Sequence, residues 1–571
     1  MLETTLKMDF APGTNLTGGL ASAAWRFLLP GLQLEHIVCL EVPAFAALNA
    51  LSHHSRKLTV LSTSTARLEQ VRQKIARHSA CEWNFLYQPD FKHLPFNQAG
   101  VDLLMLAGAS GLAQIAQQAE LPQEIARVLQ PQGTLFFETK TLRQRLLAHH
   151  LVARLQSQGF AAPRTFWITP FRGELRTAFP LGDERMTQYL LRHVLFGQSF
   201  KKRTASRLAT WLNRSGVFAL CAPRRAFMLA RSPQTPAAGQ TPPYLHALAE
   251  PAGLDLNRYR CGLSARGKYN SNKTIFYFFE ADSARANIVV KMTRAPQFNA
   301  RLENEYRVLA LLEEKKLAAR DSYPQPLFFG YHAGLAAVGQ KAVHGEPFRS
   351  RTQATAQCPL AHQALDWLSA LALQEKQRSF AAGAEAGEHL LELLRRFTAV
   401  YPVSASQKDF LTEQIKILQN SARPFPLVFQ HGDPGSWNML VSPENRLIVI
   451  DWEAGEPQGM PLWDLLYFMR SYGNWCRRQQ GVRDTLQAFT QNFCEPSEIG
   501  ALLVETVEKY CLALGLERAL VAPLFFTCWM HRALKESARL TAAQLRDGHY
   551  FNLLELCLTR HDAPALRALW I

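Results

Sequence analysis

The chain has 571 residues, 47% of them hydrophobic and 19% charged, so it holds material for more than one packed core and is no disordered or low-complexity protein. Lysine and arginine number 63 against 47 acids, a formal net charge of +16. No apolar run reaches the roughly 18–20 residues of a membrane span, and the N-terminus MLETTLKMDF lacks the basic-then-apolar pattern of a secretory leader. The ten cysteines form no C-x-x-C pair and no metal-type spacing with histidine. A cytoplasmic protein with reduced, buried thiols is the expectation.

In chain order, short apolar runs at His36–Val42, Lys57–Ser62, Asn84–Tyr87, Val101–Ala107 and Gly133–Thr139 alternate with helix-like stretches such as Thr65–Arg77 and Ala113–Leu129. Strand and helix in alternation predict a doubly wound, mainly parallel α/β sheet. Most of the positive excess precedes residue 232, with a cluster at Lys201, Lys202, Arg203 and Arg207 followed by Arg214, Arg224 and Arg225. Such a cluster would suit an acidic partner, although a solvated basic face is the plainer reading. No RNA-binding aromatic motif or zinc finger accompanies it, so nucleic acid is not an expected partner. Ser232–Pro243 (SPQTPAAGQTPP) carries no apolar period and reads as a linker. The expected division is 1–231, a linker over 232–248, and a second domain over 249–571.

Beyond the linker the pattern changes. Strand-like segments at Thr274–Phe279 and Asn287–Met292 precede a helix around Ala300–Glu314, and mostly helical sequence runs from Ala361 onward. A strand–loop–strand passage at 427–452 interrupts it. This order predicts an α+β domain with a small sheet-bearing lobe and a larger helical one. Within it lies His431–Asp451, HGDPGSWNMLVSPENRLIVID. Asp433 and Asn438 stand on the expected loop, and Asp451 ends the apolar strand Leu447–Ile450. An Asp held against a hydroxyl can orient it and accept its proton as a phosphoryl group arrives. Asn and Asp oxygens are hard ligands suited to Mg²⁺, which neutralises charge on ATP phosphates. Lys291 closes the strand NIVVK and Glu305 follows on a helix, the pairing that phosphoryl transfer uses to hold a cation on the nucleotide.

On these residues the segment from about Arg258 to Ser471 resembles the aminoglycoside phosphotransferase and choline kinase family, a branch of the protein-kinase-like fold. His431, Gly432, Asp433 and Asn438 match its H-G-D-x-x-x-x-N loop, and Ile450, Asp451, Trp452 and Glu453 match its I-D-W-E strand end. The resemblance implies a bilobal kinase-like fold, with Asp433 as catalytic base and Asn438 and Asp451 as Mg²⁺ ligands. It also implies that Lys291 contacts ATP phosphates while Glu305 anchors it. Tyr323–Gly330 and Val338–Phe348 resemble the strands leading to the adenine hinge. Gly262–Lys273 occupies the place of the phosphate-covering loop without a G-x-G-x-x-G pattern. Trp437, with DWEAGEPQGMPLWDL ending at Leu465, resembles a subset found beside bacterial surface-polysaccharide genes. The resemblance leaves the acceptor open beyond a small-molecule or saccharide-like hydroxyl compound. His431 and Asp464 are expected to brace the loop and its following helix.

Residues 25–230 resemble a class I S-adenosylmethionine-dependent methyltransferase, a Rossmann-like fold. The resemblance rests on Pro89–Leu106 and on Leu121–Thr139, whose R-V-L-x-P-x-G turn stands before a strand. The donor site departs from the family pattern. Leu40–Leu48 (LEVPAFAAL) has no glycine where backbone must approach the ligand. Leu61-Ser62-Thr63-Ser64 stands where an acidic ribose ligand is usual, leaving Asp90 as a match near adenine. A non-catalytic, methyltransferase-like scaffold is the expectation. Two alternatives stay open: a regulatory protein that holds a nucleotide without turnover, and a methyltransferase with an atypical donor site.

Overall fold

The computed structural model describes residues 23–74, 81–107, 118–171, 173, 175–195, 200–231, 241–266, 273–374 and 379–571, with the backbone alone at 200–203. By packing, the chain falls into two compact units. One comprises Leu16–Leu302 with Leu327–Ala342, and the other includes Glu303–Pro326 and Val343–Ile571.

The first unit is built on one 13-stranded sheet. Its strands are β1 (Leu34–Leu40), β2 (Ser55–Ser62), β3 (Glu82–Tyr87), β4 (Val101–Leu106), β5 (Leu129–Thr139), β6 (Arg164–Thr169) and β7 (Thr177–Pro180), then β8 (Arg225–Ala230), β9 (Arg260–Ser264), β10 (Lys273–Phe279), β11 (Ile288–Thr293), β12 (Pro326–His332) and β13 (Leu335–Lys341). The spatial order is β12-β13-β11-β10-β9-β7-β6-β8-β5-β4-β1-β2-β3. Strands β3, β2, β1, β4 and β5 pair in parallel, as the strand–helix alternation predicts. Alternate residues of β1 and β4 enter different cores, Ile37, Cys39 and Leu103 on one face and Val38, Leu40 and Leu104 on the other. Burial on both faces explains why these strands read as continuous apolar runs.

From β5 onward the pairing is antiparallel, and the sheet passes without a break from the methyltransferase-like strands to the strands of the kinase-like lobe. The junction is β7 against β9, with Thr177 opposite Ser264 and Ala178 opposite Leu263. Gly262 makes this join close, because a Cβ there would come within 2.6 Å of the Phe179 ring. A single core also runs through the join, containing Trp25, Phe136, Phe166, Leu263, Phe276, Val290 and Phe328.

Part of the expected linker is therefore structured. Residues 232–240 lie outside the described residues, but Pro243–Ala249 is a helix with Tyr244, Leu245 and Ala249 buried. Tyr244 donates its hydroxyl to the Phe27 carbonyl at 2.7 Å. Proline at the first helical position has no N–H to lose, so the Pro pair starts this helix instead of breaking the chain. The basic cluster needs a second correction. Arg224 is buried and donates to Glu138 at 2.6 Å and to the carbonyls of Pro170 and Gly173. Arg225 is buried on the carbonyls of Ala219 and Leu220. Both serve the interior, while the side chains of Lys201, Lys202 and Arg203 lie outside the described residues.

The second unit is mainly helical. Its core gathers Phe397, Phe468 and Trp529 from helices Gly383–Val400, Trp463–Gln479 and Val521–Ser537, Phe348 from the short helix Phe348–Arg351 and Trp452 from a loop. Two small sheets interrupt the helices: β14 (Glu346–Pro347), β17 (Met439–Val441) and β18 (Leu447–Val449), and β15 (Ser379–Ala381), β16 (Phe425–Gln430) and β19 (Glu456–Gly459). No single described helix is long and apolar enough to cross a membrane, and the apolar pair Glu498–Leu514 and Arg518–Ser537 is bent by 118°. All ten cysteines are free and all but Cys221 are buried.

Candidate functional site

Strand β16 ends at Gln430, and the chain then turns sharply before β17. Gly432 makes the turn at φ 75°, and a Cβ there would lie 1.9 Å from the Ala454 carbonyl oxygen. Only glycine meets both demands. The amides of His431 and Gly432 donate to the two Asp464 oxygens at 2.6 and 3.0 Å. Asp464 stands in the first turn of helix Trp463–Gln479, and burial pushes its carboxyl up to about 7. His431 is fully buried. Its Nδ1 accepts the Asp433 amide at 3.2 Å, so its Nε2 carries the proton and donates to the Ile450 carbonyl at 3.0 Å. Burial holds its pKa below the usual range, consistent with this neutral tautomer. His431 and Asp464 thus brace the loop.

The brace presents Asp433, which is one-third exposed. Its Oδ2 accepts from Asn438 Nδ2 at 3.1 Å, and the same amide group reaches the Asp433 carbonyl at 2.9 Å. On the other side Arg532 Nη1 donates to Oδ1 at 3.2 Å and Nη2 to the Gly432 carbonyl at 2.8 Å. The Arg532 guanidinium lies 3.4 Å from the centre of the Tyr467 ring. One carboxylate is thus held from both sides in a fixed orientation. Asn438 uses both amide hydrogens on Asp433, and among the described residues no hydrogen bond reaches its Oδ1. Its backbone carbonyl accepts the Ile450 amide at 2.9 Å, which sets Asp451 next to that contact. Asp451 has φ 70°, in the left-handed region.

Helix Asn299–Lys315 rests on the following loop. Asn304 Nδ2 donates to the carbonyls of Glu453 and Gly455 at 3.1 and 2.9 Å. A Cβ on Gly455 would come within 2.7 Å of Val308. Glu305 on this helix is fully buried whereas its neighbour Glu303 is exposed. Lys291 lies buried on β11, opposite Ile275 of β10 and Val338 of β13. Asp433, Asn438 and Asp451 come together in the helical unit, while Lys291 and Glu305 fall one in each unit. Of the expected phosphate-covering stretch, Gly262–Ser264 lies in β9 and Lys273 opens β10, and 267–272 lie outside the described residues. The stretches expected to lead to the hinge overlap β12 at 326–330 and β13 at 338–341, and the second runs on through β14 to Phe348.

The donor set suits a hard cation. Among the described residues there is no group of three or more His, Cys, Asp and Glu fit for a metal. One carboxylate and one amide oxygen match Mg²⁺, which keeps waters and completes its shell with substrate phosphates. Sequence reasoning missed Arg532, which stands 99 residues from Asp433. The available signal was an arginine inside the apolar helix Val521–Ser537, where it is almost wholly buried and needs a partner.

In the methyltransferase-like half a second polar cluster lies at the ends of β1 and β2. Glu41 follows β1 at φ 66° and is buried. Its carboxylate accepts from Ser62 Oγ at 2.8 Å, from the Thr63 amide at 3.0 Å and from the Thr63 hydroxyl at 2.7 Å. Burial raises its pKa, but these bonds and the nearby Arg67 outweigh that and hold it below the usual range. Asp90 accepts the Lys92 amide at 3.1 Å.

Residues 268–497 match the model of the phosphotransferase enzyme family, and residues 44–137 match a methyltransferase domain model. The chain thus carries one segment that matches a methyltransferase domain and another that matches the phosphotransferase enzyme family. Among solved structures it is similar to the aminoglycoside phosphotransferase APH(3'')-Id of Streptomyces rimosus, at 17% identity over 49% of this chain and 97% of that one, TM-score 0.29. The same enzyme in complex with ADP and streptomycin matches at 18% identity over 44% and 90% of the two chains, TM-score 0.27. An S-adenosylmethionine-dependent methyltransferase of Mesorhizobium loti matches at 18% over 38% and 100%, TM-score 0.24. No curated protein matches the chain.

Proposed function

We propose that this chain is a cytoplasmic, Mg²⁺- and ATP-dependent phosphotransferase acting on a hydroxyl of a small-molecule or saccharide-like acceptor. The observation that carries the reading is Asp433, fixed between Asn438 and Arg532 on the Gly432 turn. Asp433 would orient the acceptor hydroxyl and take its proton as the phosphoryl group moves from ATP, leaving ADP and a phosphate ester. Arg532 keeps the carboxylate aimed and stays charged at any working pH. Asn438 and Asp451 would hold Mg²⁺, which supplies neutralising charge on the phosphates. Lys291 would steady those phosphates, with Glu305 as its anchor. Asp433, Asn438, Asp451, Lys291 and Glu305 lie within the matched phosphotransferase segment, and Arg532 lies beyond it. The test is calorimetric titration of Mg·ATP into the full chain. Magnesium-dependent binding that Asp451→Ala loses supports the reading, and no binding to the parent chain overturns it.

A separate observation favours a scaffold role for the methyltransferase-like half. The Glu41 carboxylate lies at the end of β1 and is satisfied by Ser62 and Thr63. An S-adenosylmethionine ribose would meet a second acidic group's usual place already filled by hydroxyl side chains turned toward Glu41. Absence of S-adenosylmethionine binding in calorimetry is the expected result, and micromolar binding would revive methyl transfer.

A further inference from the structure

Several arginines gather beside the Asp433 loop. Helix Trp463–Gln479 carries Tyr467, Arg470, Ser471 and Arg478 at spacings that share one face. Ser471 Oγ accepts the Ser436 amide at 3.1 Å and lies 2.9 Å from the Ser436 hydroxyl, which ties this face to the Asp433 loop. Arg349 Nε donates to the same Ser436 hydroxyl at 2.8 Å, and its guanidinium lies 5.7 Å from the centre of the Trp437 ring. Trp437 is 48% exposed and meets Tyr467 edge-on.

Arg470 is buried, donates to the Tyr550 hydroxyl at 2.7 Å and stands 4.6 Å from the Tyr550 ring centre. Its other close neighbour is His549 Nε2. Burial, and then Arg470 itself, push the His549 pKa down to about 3, so that ring supplies no compensating charge of either sign. The buried Arg470 Nε has no hydrogen-bond partner. Burial, then Arg478 and Arg470, hold the Arg349 guanidinium below its usual range, so both of these cations act on Arg349. Of the acids near them, Asp433 is paired with Arg532, while Glu536, which interacts electrostatically with Arg470, and Asp484 accept backbone amides and form no ion pair with the three arginines. Among the described residues no carboxylate lies within ion-pair distance of Arg349, Arg470 or Arg478.

Neighbouring guanidiniums without a carboxylate are costly unless an anion joins them, and they repel a cationic ligand. We infer that the phosphoryl acceptor is an anionic hydroxyl compound, a saccharide bearing a phosphate or carboxylate, with its anion held by Arg349, Arg470 and Arg478 and a ring face against Trp437. The inference rests on the phosphotransferase reading. It places the anion several side chains from Asp433, so that a separate hydroxyl of the same molecule meets the base.

The test titrates four matched probes, glucose, glucosamine, glucuronate and glucose 6-phosphate, into the full chain, with Mg·ATP titrated separately. Glucuronate or glucose 6-phosphate should bind about tenfold or more tightly than glucose, and glucosamine no better than glucose. Arg349→Gln with Arg478→Gln, both at positions that are not buried, should erase most of that preference while Mg·ATP binding persists. The better of the two anions distinguishes carboxylate from phosphate. Equal binding of all four, a preference for glucosamine, no binding of either anion, or a preference that survives the double variant overturns the inference. Loss of Mg·ATP binding by the parent chain overturns the kinase reading instead, so the two failures are distinct.

Discussion

Two acidic residues in this protein follow a strand with left-handed backbone, Glu41 after β1 at φ 66° and Asp451 after β18 at φ 70°. Around Glu41 the neighbouring hydroxyls and amide are turned inward and consumed by the carboxylate itself. Around Asp451 the neighbours are braced by other groups: His431 by the Ile450 carbonyl, Gly432 by Asp464, and Asn438 by Asp433, with its Oδ1 kept out of that network. Similar local geometry thus ends one strand in a closed structural knot and the other beside a loop in which Asn438 Oδ1 takes no part in the hydrogen bonds among the described residues. Strained backbone marks a place where the fold spends energy, and the partners decide whether it is spent on packing or on chemistry.

The largest effect should come from Asp433→Asn. Loss of a positioned base costs about 10²–10⁴-fold in turnover, while titration should show Mg·ATP binding retained. Turnover kept near the parent level would erase the contrast between the two strand ends. Next is Gly432→Ala, which combines a positive φ with a Cβ 1.9 Å from the Ala454 carbonyl oxygen. A destabilisation of about 2–4 kcal/mol is expected, read from urea unfolding, and an unchanged midpoint would contradict the geometry of the turn.

A pH experiment sharpens the comparison further. Burial raises the folded Asp464 carboxyl from 3.8 to about 7, against the amides of His431 and Gly432 and Arg532, which pull it down, and with Glu456 pushing the same way as burial. Folding therefore binds a proton in the window between those two values. The stability from this group is full at the acid end and declines as pH rises to about 7. Asp464→Asn should flatten that decline, seen as a smaller difference in urea midpoint between pH 5 and pH 7. The same slope in both proteins would show that Asp464 titrates normally. The smallest effect belongs to Glu41→Ala, which leaves Ser62 and Thr63 without their acceptor. A loss of about 1–3 kcal/mol is expected, with no gain of S-adenosylmethionine binding by calorimetry. Binding gained on removing Glu41 would mean that the donor site is plugged and not eroded.

Much of the fold was legible because strands buried on both faces announce themselves as apolar runs, and β1, β2, β4 and β5 fall where those runs lie. The linker was misread at its C-terminal end, since Pro242 and Pro243 punctuate a chain and equally start a helix, and only packing of Tyr244 and Leu245 decides between the two. The basic cluster was misread at Arg224 and Arg225 because charge alone does not reveal a buried carbonyl cage. At the candidate site the motif from His431 to Asp451 was visible as spacing, which is local chemistry along one loop and one strand.

The sequence by itself determined the two classes of element order, the Asp433, Asn438 and Asp451 constellation, and the missing glycines of the methyltransferase-like segment. These follow from short-range patterns: periodicity, turn residues and ligand spacing. Tertiary structure alone decided that β7 joins β9 into a single sheet, that Arg532 reaches Asp433 from 99 residues away, and that Arg349 comes to Trp437 and Ser436 beside Arg470 and Arg478. The physical reason is that pairing partners distant in sequence are chosen by how apolar faces pack, and packing carries polar side chains to one another without leaving a period in the chain.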